Sequence, residues 1–113
     1  SGISVFSETD CEVHQRGGMF LTEQIASKNV RIRKSDVGYE TDFHLAGDDT
    51  FIVILKGSLK IELQNGDYKL FSSGDYFIAK DNLPENIIFD NQIHGHKASV
   101  IGDESLEAIH IKL

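Results

Sequence analysis

The sequence predicts an all-β domain, and three observations carry that prediction. From Met19 onward, short apolar runs are cut by turn residues at the spacing of a sandwich or barrel. No stretch sustains the 3.6-residue apolar period of an amphipathic helix. Within residues 58–64, Leu59, Ile61 and Leu63 alternate with Lys60, Glu62 and Gln64, which is a strand with one dry and one wet face.

A chain of 113 residues fits one domain and is too short for two ordinary ones. A domain of that size hides roughly two-thirds of its unfolded surface, enough for a core without staples. Residues 1–18 are polar and irregular and end in Gly17-Gly18, so they read as an N-terminal arm with at most a short strand near Ile3 to Phe6. Residues 19–113 form the single domain.

Strands are expected at 19–25, 29–34, 39–46, 51–56, 58–64, 68–71, 76–80, 85–89, 96–102 and 106–113. Phe51-Ile-Val-Ile-Leu is apolar on both faces, so that strand is central and covered twice: by the domain interior on one side, and by another sheet or a partner chain on the other. Asn65-Gly66 follows the alternating strand and predicts a type I′ hairpin, with both central residues at positive φ. Residues 68–71 then return antiparallel.

The net charge is −7, from 18 acidic and 11 basic residues. Phosphate-backbone recognition needs clustered Lys and Arg. The only short basic cluster is Arg31, Arg33 and Lys34, of which Arg31 and Arg33 share one face of a strand as a small cationic patch. No nucleic-acid partner is expected, and the acidity reads as solubility. Cys11 is the sole cysteine, so there is no internal disulfide and no Cys/His zinc spacing; the thiol suits a reducing, cytoplasmic setting. No run approaches the ~18 apolar residues of a membrane span. No charged-then-apolar leader opens the chain, so no membrane association is expected.

Residues 36–90 resemble the cupin family. The first cupin motif runs Gly, five residues, His-x-His, three or four residues, Glu, six residues, Gly. Here Gly38 is followed after five residues by His44, and the stretch closes at Gly57 after Phe-Ile-Val-Ile-Leu-Lys. Gly74-Asp75, leading into Tyr-Phe-Ile-Ala, matches the opening of the second motif. A looser likeness extends to the arm domains of AraC-type regulators and to cyclic-nucleotide-binding domains. The Phe-Gly-Glu and Arg that grip a cyclic phosphate in the latter have no counterpart here. The resemblance implies a cupin-like jelly-roll β-barrel of two antiparallel sheets, enclosing a pocket and forming a homodimer.

In a typical cupin, two histidines, a glutamate and a third histidine hold a divalent metal. Counted from the glycines, these positions fall on His44, Ala46, Thr50 and, in the second motif, on or beside Glu85. The metal motif is therefore degenerate, and no cofactor is expected: a catalytic metal wants three protein ligands and an open position. Were a divalent metal held, its ligands would be His44, Glu85 and His96. The last belongs to His94-Gly95-His96, which reads most simply as a polar hairpin with both rings in solvent. The competing arrangement turns His96 inward, with Ala98 and Val100, toward His44.

The resulting expectation is a metal-free cupin-like protein that binds a small molecule between its sheets. His44, Thr50, Glu85, Asp42 and Ala46 would line the pocket, with Ile52, Ile54, Ile61 and Ile78 as apolar walls. Alternatives are a metal-dependent cupin enzyme (dioxygenase, isomerase or lyase), a metal-free acid–base catalyst using His44, or an effector-sensing domain. No helix-turn-helix follows the last strand, so sensing would work through a separate partner. Asp48-Asp49 beside Gly47 reads as a solvated turn.

Overall fold

A computed structural model describes residues 3–113; Ser1 and Gly2 of the expected arm lie outside the described residues. It contains a four-stranded antiparallel sheet in the order β3-β9-β4-β7, a three-stranded sheet in the order β6-β5-β8, and a small hairpin, β1-β2. The strands are β1 His14–Arg16, β2 Met19–Leu21, β3 Asn29–Ser35, β4 Thr50–Lys56, β5 Ser58–Leu63, β6 Tyr68–Ser72, β7 Tyr76–Ala79, β8 His96–Ile101 and β9 Leu106–Lys112. The all-β jelly-roll class is as the sequence predicts. No helix among the described residues is long and apolar enough to cross a membrane.

The two larger sheets meet face to face over one apolar core. Ile52 and Ile54 of β4 with Leu106 and Ala108 of β9 come from one sheet; Leu59 and Ile61 of β5 with Val100 of β8 come from the other. The central place expected for residues 51–56 holds, since β4 lies between β9 and β7. Ile52 and Ile54 are buried in the core, while Phe51 and Val53 point to the opposite face and stay half-buried. Ile78 belongs with Phe51, across from which it pairs, and is exposed. The apolar wall residue that β7 contributes is instead Phe77, stacked on Phe71 with ring centroids 4.2 Å apart.

Three local expectations differ from the structure. Residues 39–46 form no continuous strand; they touch β8 at only two isolated bridges, Glu40 to Ser99 and His44 to His96. Four steps on one side match three on the other, so one extra residue bulges out and breaks the ladder. Residues 85–89 form a turn and irregular chain rather than a strand. At Asn65-Gly66 only Gly66 has positive φ, at 91°, and its N–H donates to the Leu63 carbonyl. The hairpin thus uses a type I turn closed by a left-handed glycine, with the Asn65 side chain accepting from Asp67 N–H at 2.9 Å.

The arm is partly built in. Its residues 14–16 pair with β2 across Gly17-Gly18, so the hairpin straddles the expected boundary at 18. Further back, Ser4 and Phe6 are half-buried while Ile3, Val5 and Ser7 are exposed. Phe6 packs on the core, and Glu8 makes an ion pair with Lys69, whose ammonium also lies over the Phe6 ring. The stretch around Ser4 to Glu8 is a strap laid along the sheets, outside any ladder.

Candidate functional site

The site begins with a backbone contact. His44 N–H donates to the His96 carbonyl and His96 N–H to the His44 carbonyl, both at 2.9 Å. A directly paired bridge puts both side chains on one face. On β8 that face is the inward one, shared with Ala98 and the core residue Val100. The two imidazoles therefore stand side by side, ring centroids 4.5 Å apart and planes inclined by 56°. The inward arrangement of His96 is the one found.

Each ring is fixed through Nδ1. His96 Nδ1–H donates to Asp81 Oδ2 at 2.6 Å, and His44 Nδ1–H donates to the Asp42 carbonyl at 2.9 Å, with Thr41 Oγ1 nearby at 3.3 Å. These partners assign the tautomers: both protons sit on Nδ1, leaving each Nε2 with its lone pair. Among the described residues neither Nε2 has a hydrogen-bond partner.

Asp81 is the anchor of this arrangement. It follows β7 by two residues, continuing the inward series Phe77, Ala79, Asp81. Besides His96, its carboxylate accepts from Ser4 Oγ at 2.7 Å and from Ala46 N–H at 3.0 Å. Burial alone would push the carboxyl up. The hydrogen bonds from His96, from Ser4 and from the Ala46 N–H outweigh that, and hold Asp81 below the ordinary carboxylate value.

The candidates named from sequence divide clearly. His44, Ala46 and the backbone of Asp42 join the cluster, and His96 completes it. Thr50 is buried one step away: its hydroxyl donates to the Asp48 carbonyl and accepts from Lys112 Nζ, which also reaches the Ala46 carbonyl. The Asp42 side chain is exposed, and Glu85 stands exposed on the 80–95 connection outside the cluster. Asp81 and Ser4 were not anticipated as site residues. For Asp81 the signal was present, because the period-two continuation of Phe77 and Ala79 points it inward; for Ser4 there was none.

His94 has a different part. It is 5% exposed, and its Nδ1 accepts from Asp90 N–H at 3.0 Å, closing the turn before β8. Solvent-facing rings were expected for His94 and His96, and both are instead drawn in. Between them Gly95, at φ 87°, lies against His44: a Cβ there would meet the His44 carbonyl oxygen at 2.5 Å.

The donors do not fit a resident divalent metal. Ala46 offers no ligand atom, Thr50 is committed to Asp48 and Lys112, and both Asp81 oxygens are engaged. Among the described residues no group of three His, Cys, Asp or Glu side chains is placed to hold one.

Solved structures with this fold are known. A cupin-2 domain protein from Shewanella frigidimarina is 15% identical, with a TM-score of 0.52, over 74% of this chain and 67% of its own. A cupin domain protein from Bordetella pertussis is 18% identical, with a TM-score of 0.52, over 79% and 85%. A conserved protein of unknown function from Streptococcus pyogenes is 14% identical, with a TM-score of 0.52, over 81% and 68%. No protein-family model matches the sequence, and no curated protein matches it. The chain has the cupin fold.

Two outcomes follow from the anchoring contacts. Gly95→Ala forces the 39–46 segment away from β8, so the His44 and His96 rings lose their mutual contact in NMR while the core strands persist. Asp81→Asn lowers stability at neutral pH by about 1.5–3 kcal/mol, the range for a hydrogen bond to a charged group. Because the folded-state pKa of Asp81 lies below its unfolded value, its contribution is complete above the ordinary carboxylate range and vanishes as pH falls through the folded value. Thermal denaturation from neutral pH downward should show the gap between variant and native protein closing below roughly pH 4.

Proposed function

We propose that the protein binds a small molecule at the histidine-lined rim between its sheets, without a tightly bound metal, and that it works as a homodimer. One observation carries the binding reading: two imidazoles held side by side, each with Nδ1 committed and Nε2 free. Paired lone pairs of that kind suit a ligand that presents hydrogen-bond donors such as hydroxyl or amine groups. The metal-free reading is supported by the want of a third protein donor beside them.

A second reading has its own observation. The 2.6 Å bond from His96 to a half-buried carboxylate orients the ring and leaves Nε2 as its proton acceptor. A general base needs a ring held in that way. On this reading His96 exchanges protons with the bound molecule, Asp81 positions it, and no metal takes part.

The dimer reading rests on β3, whose residues face the opposite way from the usual pattern. Val30 and Ile32 are 62% and 61% exposed on the outer face, in rows with Ile111, Phe51 and Ile78 and with Ile109, Val53 and Tyr76. Lys34, Glu107 and Lys56 form the next row, bringing both charge signs to one end of the patch. A flat apolar face four strands wide, ending in charges of both signs, suits a second copy of itself across a twofold axis.

Elemental analysis after incubation with iron, manganese, nickel and zinc and desalting tests the metal. Far less than one equivalent is expected; near-stoichiometric metal, lost in His44→Ala or His96→Ala, would replace this reading with a metal site. Small-molecule thermal-shift screening then tests the rim, where true ligands lose their effect in His44→Ala. Analytical ultracentrifugation tests the dimer: a dimer at micromolar concentration, and a monomer for Ile32→Glu, are expected. A native monomer throughout that range overturns the interface.

A further inference from the structure

The inner face of the four-stranded sheet ends in cations. Arg31 pairs directly with His110, and Ile52 pairs with His110 from the other side, so all three share the core-facing side. On the same face Arg33 lies opposite Ala108, and Lys112 lies between Asn29 and Thr50. Arg31, Arg33 and Lys112 thus share one sheet face with His110 at the β3 edge, where both arginines are exposed and the imidazole is half-buried.

No carboxylate answers them. The protein carries 18 acidic residues against 11 basic ones, yet none of the six ion pairs among the described residues includes Arg31, Arg33 or Lys112. The inward-facing positions of β3, β9, β4 and β7 hold Asn, Arg, Ser, Leu, Ala, His, Lys, Thr, Ile and Phe, but no Asp or Glu. The three cations act on His110 in the same direction. Burial first, then Arg33, Lys112 and Arg31, push that imidazole down to about 4, so it is neutral near pH 7.

We propose that this cluster is a binding site for a small oxyanion, a phosphate or carboxylate group, gripped by Arg31, Arg33 and Lys112 with His110 beneath it. Two arginines on one strand face present forked N–H donors that match such a group. Lys112 adds a point charge, already steadied by Thr50 Oγ1 at 2.7 Å. The bound anion would supply the missing countercharge, so His110 would take up a proton more readily in the complex. Anion binding is therefore linked to proton uptake at His110. The site shares Lys112 with the rim that carries the histidine pair, but its test does not depend on that pair binding a ligand.

Inward-facing charges on an edge strand also deter edge-to-edge pairing, and the test separates the two roles. Native protein is titrated with sodium phosphate and, separately, sodium malonate, with ionic strength held constant by chloride; imidazole NMR and thermal denaturation are followed. Expected are an upward shift of the His110 titration midpoint by a unit or more and a rise in Tm of roughly 5 °C at ten-fold excess over Kd. Both effects are lost in Arg31→Gln/Arg33→Gln and kept in Arg16→Gln. A response to phosphate alone or to malonate alone assigns the anion class. Native protein whose His110 midpoint and Tm ignore both anions overturns the site and leaves the arginines as edge guards, and so does an undiminished response in the double variant. If the double variant aggregates, the same titrations on Lys112→Gln decide, with a weakened response expected and an unchanged one overturning the site.

Discussion

Everything at the candidate site hangs on the close approach of Gly95 to His44. The paired 2.9 Å hydrogen bonds between His44 and His96 can form only if the chain before β8 passes within van der Waals reach of the His44 backbone. A side chain at residue 95 would occupy that space, 2.5 Å from the His44 oxygen. Glycine at positive φ resolves both demands at once. From this contact follow the side-by-side placement of two imidazoles, the reach of His96 to Asp81, and the attachment of residues 39–46, which have no continuous ladder to hold them. The bulge in that segment frees Asp42 to turn its carbonyl onto His44 instead of spending it on a strand partner.

Asp81 extends the dependence to three other parts of the chain. Its carboxylate gathers His96 of β8, Ser4 of the N-terminal strap and the backbone of Ala46. A half-buried carboxylate is tolerable only when its lone pairs are used, and here the donors come from segments that share no ladder with it. Lys112 completes the circuit by reaching the Ala46 carbonyl from β9. The rim thus links both sheets and the strap through side chains, at the end where the apolar core stops.

The sequence was most legible where local physics acts alone. Two-sided apolarity placed β4 at the centre, and period-two alternation fixed the faces of β5. It was least legible where tertiary contacts decide. Residues 39–46 look like a strand, but one extra residue relative to β8 breaks their ladder. Residues 85–89 are apolar enough for a strand, yet they pair with no other strand and stay irregular. His94-Gly95-His96 reads as a polar hairpin until one sees that its glycine is a packing device. The glycine spacing of the fold pointed to His44, which lies beside His96, but the carboxylate beside the imidazoles is Asp81, reached by following β7 inward, and Glu85 is exposed. Polarity alone could not tell those two acids apart; strand phase could.

Strand β3 shows what such phase costs and what it implies. Its sequence, Val30-Arg31-Ile32-Arg33, offers a simple amphipathic strand, and the ordinary choice turns valine and isoleucine to the core and the arginines to water. The structure makes the reverse choice. A one-residue slip against β9 would restore the ordinary pattern, but it would also break the match of Val30 to Ile111 and Ile32 to Ile109. Those rows continue through Phe51 and Val53 across the whole outer face, so the register is set there, outside the core. Two consequences are inseparable: an outer face that exposes Val30 and Ile32, and an inner edge that carries Arg31 and Arg33. A self-associating outer surface and an anion at the inner edge each relieve one of them, and neither is called for unless β3 sits in this register.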